Sequence, residues 1–365
     1  MNYKRVVIKI GSSNLVRDGK VDDEKIKNLI KIISKFKKKD NIEFIIVSSG
    51  AVAVGKEKVG ISSLKLNIRQ KQAMAAIGQP YLMRKYKENL ENNNILGAQV
   101  LLTSDDLHNR TRLINARDTL LEILHYNAVP IINENDTVST EEIKIGDNDN
   151  LSARVAAIVD AELLIILSDI DGLYNKNPKN HNDAVLIKEV FDITKDMKKN
   201  AGGAGSKVGT GGMITKLEAA EVCMKFNVEM VIINGNSLDN IVDILNGKQI
   251  GTKFSPNKKK ISKKKLWIGY GARKKGEIYI DKGAYEALNK GKSLLSGGIV
   301  GLSGKFKIGD SIKIFHNKEE IARGLTNYSS DELLKIKGKK SYEIDKILGY
   351  KYQDEIVHRN NMILI

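Results

Sequence analysis

Over roughly the first 250 residues, short apolar runs alternate with longer amphipathic stretches, and this alternation limits the fold more than any other feature. Arg5–Ile10, Glu43–Val47, Gly97–Leu102, Val129–Ile132, Leu163–Leu167 and Glu229–Ile233 have the length and composition of buried strands. Asp22–Lys37, Ile68–Asn92, Arg112–Tyr126, Leu151–Asp160 and Gly212–Phe226 carry helical periodicity. Leu113, Ala116, Leu120 and Leu124 share one face of the third of these, and Met213, Leu217, Ala220 and Met224 share one face of the last. Strands separated by helices cross over into parallel pairs, and a parallel sheet needs cover on both sides. The expected fold is therefore α/β, a three-layer sandwich with a mostly parallel central sheet. No internal repeat is visible.

The texture changes near residue 258. Six lysines and no acid fall in residues 258–265, and beyond them come short β-like pieces such as GEIYIDKGA, GGIVGLSGKF and GDSIKIFHN. The division expected is a catalytic domain over 1–257, a Lys-rich linker over 258–275, and a small β-rich domain with the C-terminal tail over 276–365. The net charge of +16 is uneven. Residues 1–257 hold 36 basic and 32 acidic groups, whereas 266–365 hold 18 and 12, so the excess sits in the linker and tail. Such a distribution permits contact with nucleic acid, and it equally describes a solvated lysine-rich linker.

Cys223 is the single cysteine, so no internal disulfide forms, and its apolar helical surroundings mark it as packing. No apolar run approaches a membrane span, and the N-terminus reads straight into a strand; the expected location is the cytoplasm, with no membrane partner.

Unusual polar residues cluster where the apolar runs end. Lys9 leads into Gly11, Ser12 and Ser13; Ser48, Ser49 and Gly50 follow the second run; Asn133 to Asp136 follow Val129–Ile132; Ser168 and Asp169 follow Leu163–Leu167. In open parallel sheets, ligands bind outside the carboxyl ends of the strands, so these positions point to one shared crevice. The segment NENDTVSTEEIKIGDNDN, Asn133 to Asn150, is denser in carboxylates, amides and hydroxyls than a surface turn requires, which marks it as ligand-contacting. GTGGMITK, Gly209 to Lys216, opens a helix: glycines admit an anion to the backbone N–H groups, the helix terminus adds partial positive charge, and Lys216 adds a full one. It lacks Walker A spacing, and KIGSSN lacks the dinucleotide pattern GxGxxG.

The five histidines lie outside these segments, no His/Cys cluster suggests a transition-metal site, and no nucleophile–base pair stands out. Lysines, glycine loops and carboxylates fit phosphoryl transfer, in which catalysis is chiefly positioning and charge neutralisation. A carboxylate acceptor would need no general base, since its reference pKa is ~4.

VVIKIGSSNL, IVSSGAVAVG, KQAMAAIGQ, LINARDTL, VPIINENDTVSTEEIKIGDNDNLSA, LSDIDGLY and GTGGMITKLEAA, in this order, resemble the motifs of the glutamate 5-kinases of the amino acid kinase family. The stretch from about Gly276 to Tyr352 resembles a PUA domain, an RNA-binding type of β fold. The resemblance implies ATP-dependent phosphorylation of the L-glutamate side-chain carboxylate to L-glutamyl 5-phosphate, the first step of proline synthesis. It also implies Mg²⁺, feedback inhibition by proline, a homotetramer, and RNA as a possible partner of the PUA-like part. Carried over by residue, Lys9 and Lys216 resemble the lysines that neutralise the transferring phosphoryl group, and Asp169 the aspartate that orients them. Ser168 and Asp169 line the nucleotide site, with Thr210, Gly211, Gly212, Met213, Ile214, Thr215 and Lys216 around the ATP phosphates. Ser49 with Gly50, Asp136 and Asn148 resemble glutamate-binding positions; Asp149 resembles an aspartate beside the reaction centre; Asn133 and Lys144 line the same pocket. The alternatives are another kinase of this fold, acting on aspartate or acetylglutamate, and an RNA-binding protein working through its tail.

Overall fold

The structure is a computed structural model that describes residues 3–17, 20–61, 66–138, 148–178, 180–201, 212–256 and 274–365. Of the residues expected at the site, Lys144, Thr210 and Gly211 lie outside the described set. The chain forms two compact units, one over Met1–Leu107 and Thr111–Lys258, the other over His108–Arg110 and Lys259–Ile365.

The N-terminal unit is built on an eight-stranded sheet. Its strands are β1 (Arg5–Ile10), β2 (Glu43–Ser48), β3 (Gly97–Leu102), β4 (Val129–Glu134), β5 (Leu163–Ser168), β6 (Glu189–Val190), β7 (Glu229–Asn234) and β8 (Thr252–Phe254). They run in the order β3-β4-β2-β1-β5-β7-β8-β6. All neighbours are parallel except β7 and β8. Three of the expected apolar runs extend by one polar residue (Ser48, Ser168, Asn234) and β4 by two, Asn133 and Glu134.

The crossover helices are α1 (Asp23–Asp40), α2 (Ala51–Val59), α3 (Ile68–Glu91), α4 (Arg110–His125), α5 (Asn148–Ile158), α6 (Met213–Lys225) and α7 (Asp239–Leu245). Capping chemistry sets the ends of α1. Asp22 accepts from the Lys25 N–H, Asp23 and Glu24 occupy the first turn, Lys37 to Lys39 the last, and Asn41 closes it in the left-handed conformation. Two cores follow from the pleat. Val6, Ile8 and Ile10 face α1, α3 and α7, through Ile30, Leu82 and Ile241 among others. Val7, with Val47 and Ile166, faces α4, α5 and α6, through Leu120, Val155 and Leu217. The three layers are those expected, and Cys223 is fully buried in the second core.

α2 and α3 touch backbone to backbone. A Cβ on Gly78 would stand 2.0 Å from the Ala51 carbonyl oxygen, and one on Gly55 would stand 1.9 Å from that of Met74. Only glycine allows this approach, and it places the middle of α3 against the first turn of α2.

The C-terminal unit has a five-stranded sheet, β9 (Lys274–Ile280), β10 (Ile299–Ser303), β11 (Ser311–His316), β12 (Glu319–Leu325) and β13 (Met362–Leu364), ordered β10-β9-β11-β12-β13. Its own core includes Ile278, Ile312, Ile314, Tyr328 and Leu333. No helix among the described residues is long and apolar enough to cross a membrane.

Candidate active site

Four adjacent strands, β4, β2, β1 and β5, end on the same edge of the sheet. The register aligns Lys9 with Val47 and Ile166, Ile10 with Ser48 and Leu167, and Val47 with Ile132. The polar residues that follow therefore emerge side by side. Gly50 caps α2 at φ +105°, a turn that an L side chain rarely adopts, so the chain leaves Ser49 and bends directly into the helix.

One half of the edge is charged. Lys9 and Lys216 are both buried, and both point their ammonium groups at the carboxylate of Asp149, which is 1% exposed. Lys9 Nζ lies 2.7 Å from Oδ1 and Lys216 Nζ 3.1 Å from Oδ2. Thr215 Oγ1 donates to the same Oδ2 at 2.8 Å and also reaches the Gly212 carbonyl oxygen at 2.8 Å. Asp149 sits in the first turn of α5, and its backbone carbonyl accepts from Ser152 Oγ. Burial by itself would raise the Asp149 carboxyl, but Lys9 and Lys216 outweigh it and hold the group below the ordinary aspartate range. Three elements far apart in sequence thus supply two cations and one anion to one buried cluster. Gly212 caps α6, Met213 and Ile214 lead its first turn, and all three are half-buried.

This arrangement corrects one expectation. The carboxylate between the lysines is Asp149, not Asp169. Asp169 lies beyond the last residue of β5 and is exposed, and it accepts a hydrogen bond from Ser168 Oγ at 3.2 Å. α5 packs over β1 and brings Asp149 down onto Lys9, a placement that depends on the crossover rather than on strand order.

The other half of the edge is a network of amides and hydroxyls. Asn148, the first residue of α5, donates through Nδ2 towards Ser48 O (3.0 Å), Ser49 Oγ (2.9 Å) and Asn133 Oδ1 (3.0 Å). Asn133 in turn donates through Nδ2 to Gln79 Oε1 at 2.8 Å. Ser48 Oγ meets the hydroxyl of Tyr86, which is wholly buried. Asp136 follows β4 in a short 3₁₀ turn, 8% exposed. Burial, reinforced by the neighbouring Glu134, pushes its carboxyl up to about 7. The structure thus brings Lys9, Lys216 and Asp149 together, and Ser49, Asn133 and Asn148 together. Gln79 and Tyr86, both carried by α3, join this network although no strand-end rule picks them out; the only hint of Gln79 is its place at the end of KQAMAAIGQ.

Comparison with known proteins identifies the family and supports the fold. Residues 4–234 match the amino acid kinase family. The chain belongs to that family. Residues 276–348 match the PUA domain. At the sequence level the kinase is similar to glutamate 5-kinase of Caldanaerobacter subterraneus subsp. tengcongensis, 47% identical over 99% of this chain and 98% of that protein. It is likewise similar to glutamate 5-kinase of Carboxydothermus hydrogenoformans, 45% identical over 100% and 98%. Its N-terminal fold is similar to that of carbamate kinase from Giardia lamblia, with a TM-score of 0.51 at 16% identity, covering 70% of this chain and 99% of that one. UMP kinase from Ureaplasma parvum gives 0.50 at 20% identity, covering 70% and 100%. At these identities the two solved structures speak for the fold of this amino acid kinase alone.

Proposed function

We propose that this chain transfers the γ-phosphoryl group of ATP to the side-chain carboxylate of L-glutamate, giving L-glutamyl 5-phosphate and ADP, the first step of proline synthesis. The observation that carries the reading is the buried pair Lys9 and Lys216 held on Asp149, next to an amide-lined recess. Its support in sequence is the full-length similarity to proteins named glutamate 5-kinase.

A glutamate carboxylate is ionised at neutral pH and needs no base, but it is a weak nucleophile and repels the phosphates. Lys9 and Lys216 lower that repulsion and meet the charge that develops on the phosphoryl oxygens as the bond to ADP breaks and the bond to the carboxylate oxygen forms. Asp149 keeps both ammonium groups aimed, and Thr215 ties Asp149 to the start of α6. Gly212 to Lys216 meet the ATP phosphates, and Ser168 and Asp169 flank the nucleotide; the expected contribution of Thr210 and Gly211 lies outside the described residues.

Ser49 and the Gly50 turn face the glutamate α-carboxylate. Asp136 and Asn148 accept from its α-ammonium group, and Asn133 stands beside them; the expected role of Lys144 lies outside the described residues. Mg²⁺ enters with the co-substrate as MgATP. Asp149 is already committed to Lys9, Lys216 and Thr215, and among the described residues no three His, Cys, Asp or Glu side chains converge. Bound with ATP, the cation would neutralise phosphate charge beside Lys9 and Lys216.

On the same reading proline is the feedback inhibitor, the chain works in the cytoplasm as a homotetramer, and the kinase domain ends near residue 257. The PUA domain offers a surface for RNA: Tyr342, Tyr350 and Tyr352 are exposed, with Lys340 Nζ 5.8 Å from the Tyr342 ring centroid. Hydroxylamine trapping with ATP, Mg²⁺ and a panel of acidic amino acids tests the main reading. Hydroxamate formed from glutamate supports it; hydroxamate from aspartate or acetylglutamate alone transfers the chain to a different acceptor. Titration of labelled RNA, repeated after truncation before Ile278, tests the second role.

A further inference from the structure

The amide network has a direction, and two backbone groups enforce it. A carbonyl only accepts, so the contact with Ser48 O requires Asn148 to present its Nδ2. A backbone N–H only donates, so the contact from the Glu134 N–H (2.9 Å) requires Asn133 to present its Oδ1. Asn148 Nδ2 therefore donates to Asn133 Oδ1, and Asn133 Nδ2 is left to donate to Gln79 Oε1. Every amide orientation in the row follows from those two contacts. Gln79 is the terminal acceptor; its side chain is nine-tenths buried, and its own Nε2 is buried without a partner among the described residues. Among the described residues, Asn148 Oδ1 is the other buried atom left unmatched in the row. A network with an unmatched atom at each end is costly for stability alone, which points to use rather than packing.

Gln79 is held in place by the glycine contact between α2 and α3. The missing Cβ of Gly78 puts the adjacent turn of α3 against Ala51, the residue after Gly50. The end of the amide row and the Ser49–Gly50 bend are therefore tied through one rigid contact.

We propose that Gln79 is a positioning residue of the amino-acid half of the site. By accepting from Asn133 it keeps Asn133 and Asn148 in register with Ser49, and so sets affinity for the amino-acid substrate while leaving the Lys9–Asp149–Lys216 half untouched. This rests on the glutamate kinase reading and deepens it. Without Gln79 Oε1, Asn133 Nδ2 loses its buried acceptor, and the row relaxes by rotating Asn133 away from Asn148.

The test is steady-state kinetics on the full-length chain with Gln79→Met, which keeps the volume and removes both polar atoms, and Gln79→Glu, which keeps an acceptor for Asn133. Gln79→Met is expected to raise the KM for glutamate about tenfold, the size of one lost buried hydrogen bond, and to leave the KM for ATP within about twofold. Gln79→Glu is expected to restore most of the glutamate affinity. A glutamate KM unchanged in Gln79→Met, or both KM values raised together, overturns the proposal. Should Gln79→Met fail to fold, Gln79→Glu decides alone: a glutamate KM within about threefold of the parent supports the role, and one raised together with that for ATP overturns it. Parent protein that turns over no glutamate in the same assay would instead sink the functional reading, which keeps the two failures apart.

Discussion

Lys9 and Asp149 form an ion pair of 2.7 Å in which neither side chain is more than 8% exposed. Lys216 closes on the other carboxylate oxygen, so one anion holds two cations that come from opposite ends of the domain. Several consequences can be measured.

Lys216→Ala is expected to lower turnover by about 10²–10³-fold, the usual loss when one donor to developing charge is removed from a dry site. Lys9 remains to balance Asp149, so the fold persists. Hydroxamate formation and circular dichroism on the same sample check this; parent-level turnover from a folded variant removes Lys216 from the mechanism.

Asp149→Ala strands two buried ammonium groups, and the expected loss of stability is about 3–5 kcal/mol in urea unfolding. In the parent protein the Asp149 carboxyl is held below its ordinary value. Its contribution is therefore present above the unfolded aspartate pKa of ~4 and disappears only as pH falls through the lower folded value. Acid unfolding of the parent should be steep below pH ~4, and a loss under about 1 kcal/mol in the variant would mean the lysines find other partners.

Asp136 titrates the other way. Its folded pKa is about 7, above the unfolded value, so its contribution to stability is complete below the unfolded pKa and is lost as pH rises through 7. On the proposed reading a glutamate ammonium group binds the ionised form, so the substrate must displace a proton below pH 7. The glutamate KM is expected to climb as pH falls from 7, by up to about tenfold per unit, with the ATP KM flat. Asp136→Asn should flatten that slope and raise the glutamate KM at pH 8; a slope surviving in the variant assigns the titration to another group.

Gly78→Ala forces a methyl group into the Ala51 carbonyl, with a gap of only 2.0 Å. Backbone has to move, and a stability loss of about 1–3 kcal/mol or more is expected from denaturant titration. A variant as stable as the parent would show that the α2–α3 contact is looser than drawn.

Much of this is legible in the chain itself. Periodicity separates strands from helices correctly because each apolar face has a layer to pack against, as Leu120 and Leu124 of α4 do. The strand ends are less legible. The ladder of backbone hydrogen bonds continues through Ser48, Asn133, Glu134 and Ser168 whatever their polarity, so these residues belong to strands rather than to the loops after them. Asn148, equally readable as a cap ahead of Leu151, is itself the first residue of the helix. Which aspartate meets the lysines is not legible, because Asp149 and Asp169 both follow or precede buried elements and only the descent of α5 onto β1 separates them. Gln79 escapes for a related reason: it reaches Asn133 across 54 residues from a helix whose pattern speaks only of packing.

Because Asp149 already occupies both ammonium groups, the three side chains together carry a surplus of one positive charge rather than two. On the proposed reading, a phosphate arriving there competes with that carboxylate for the two ammonium groups, so a spent nucleotide gains little by lingering. The reward is greatest for the species whose oxygens carry the most charge at the instant of transfer, and the built-in rival thereby sharpens the distinction between passing through and staying.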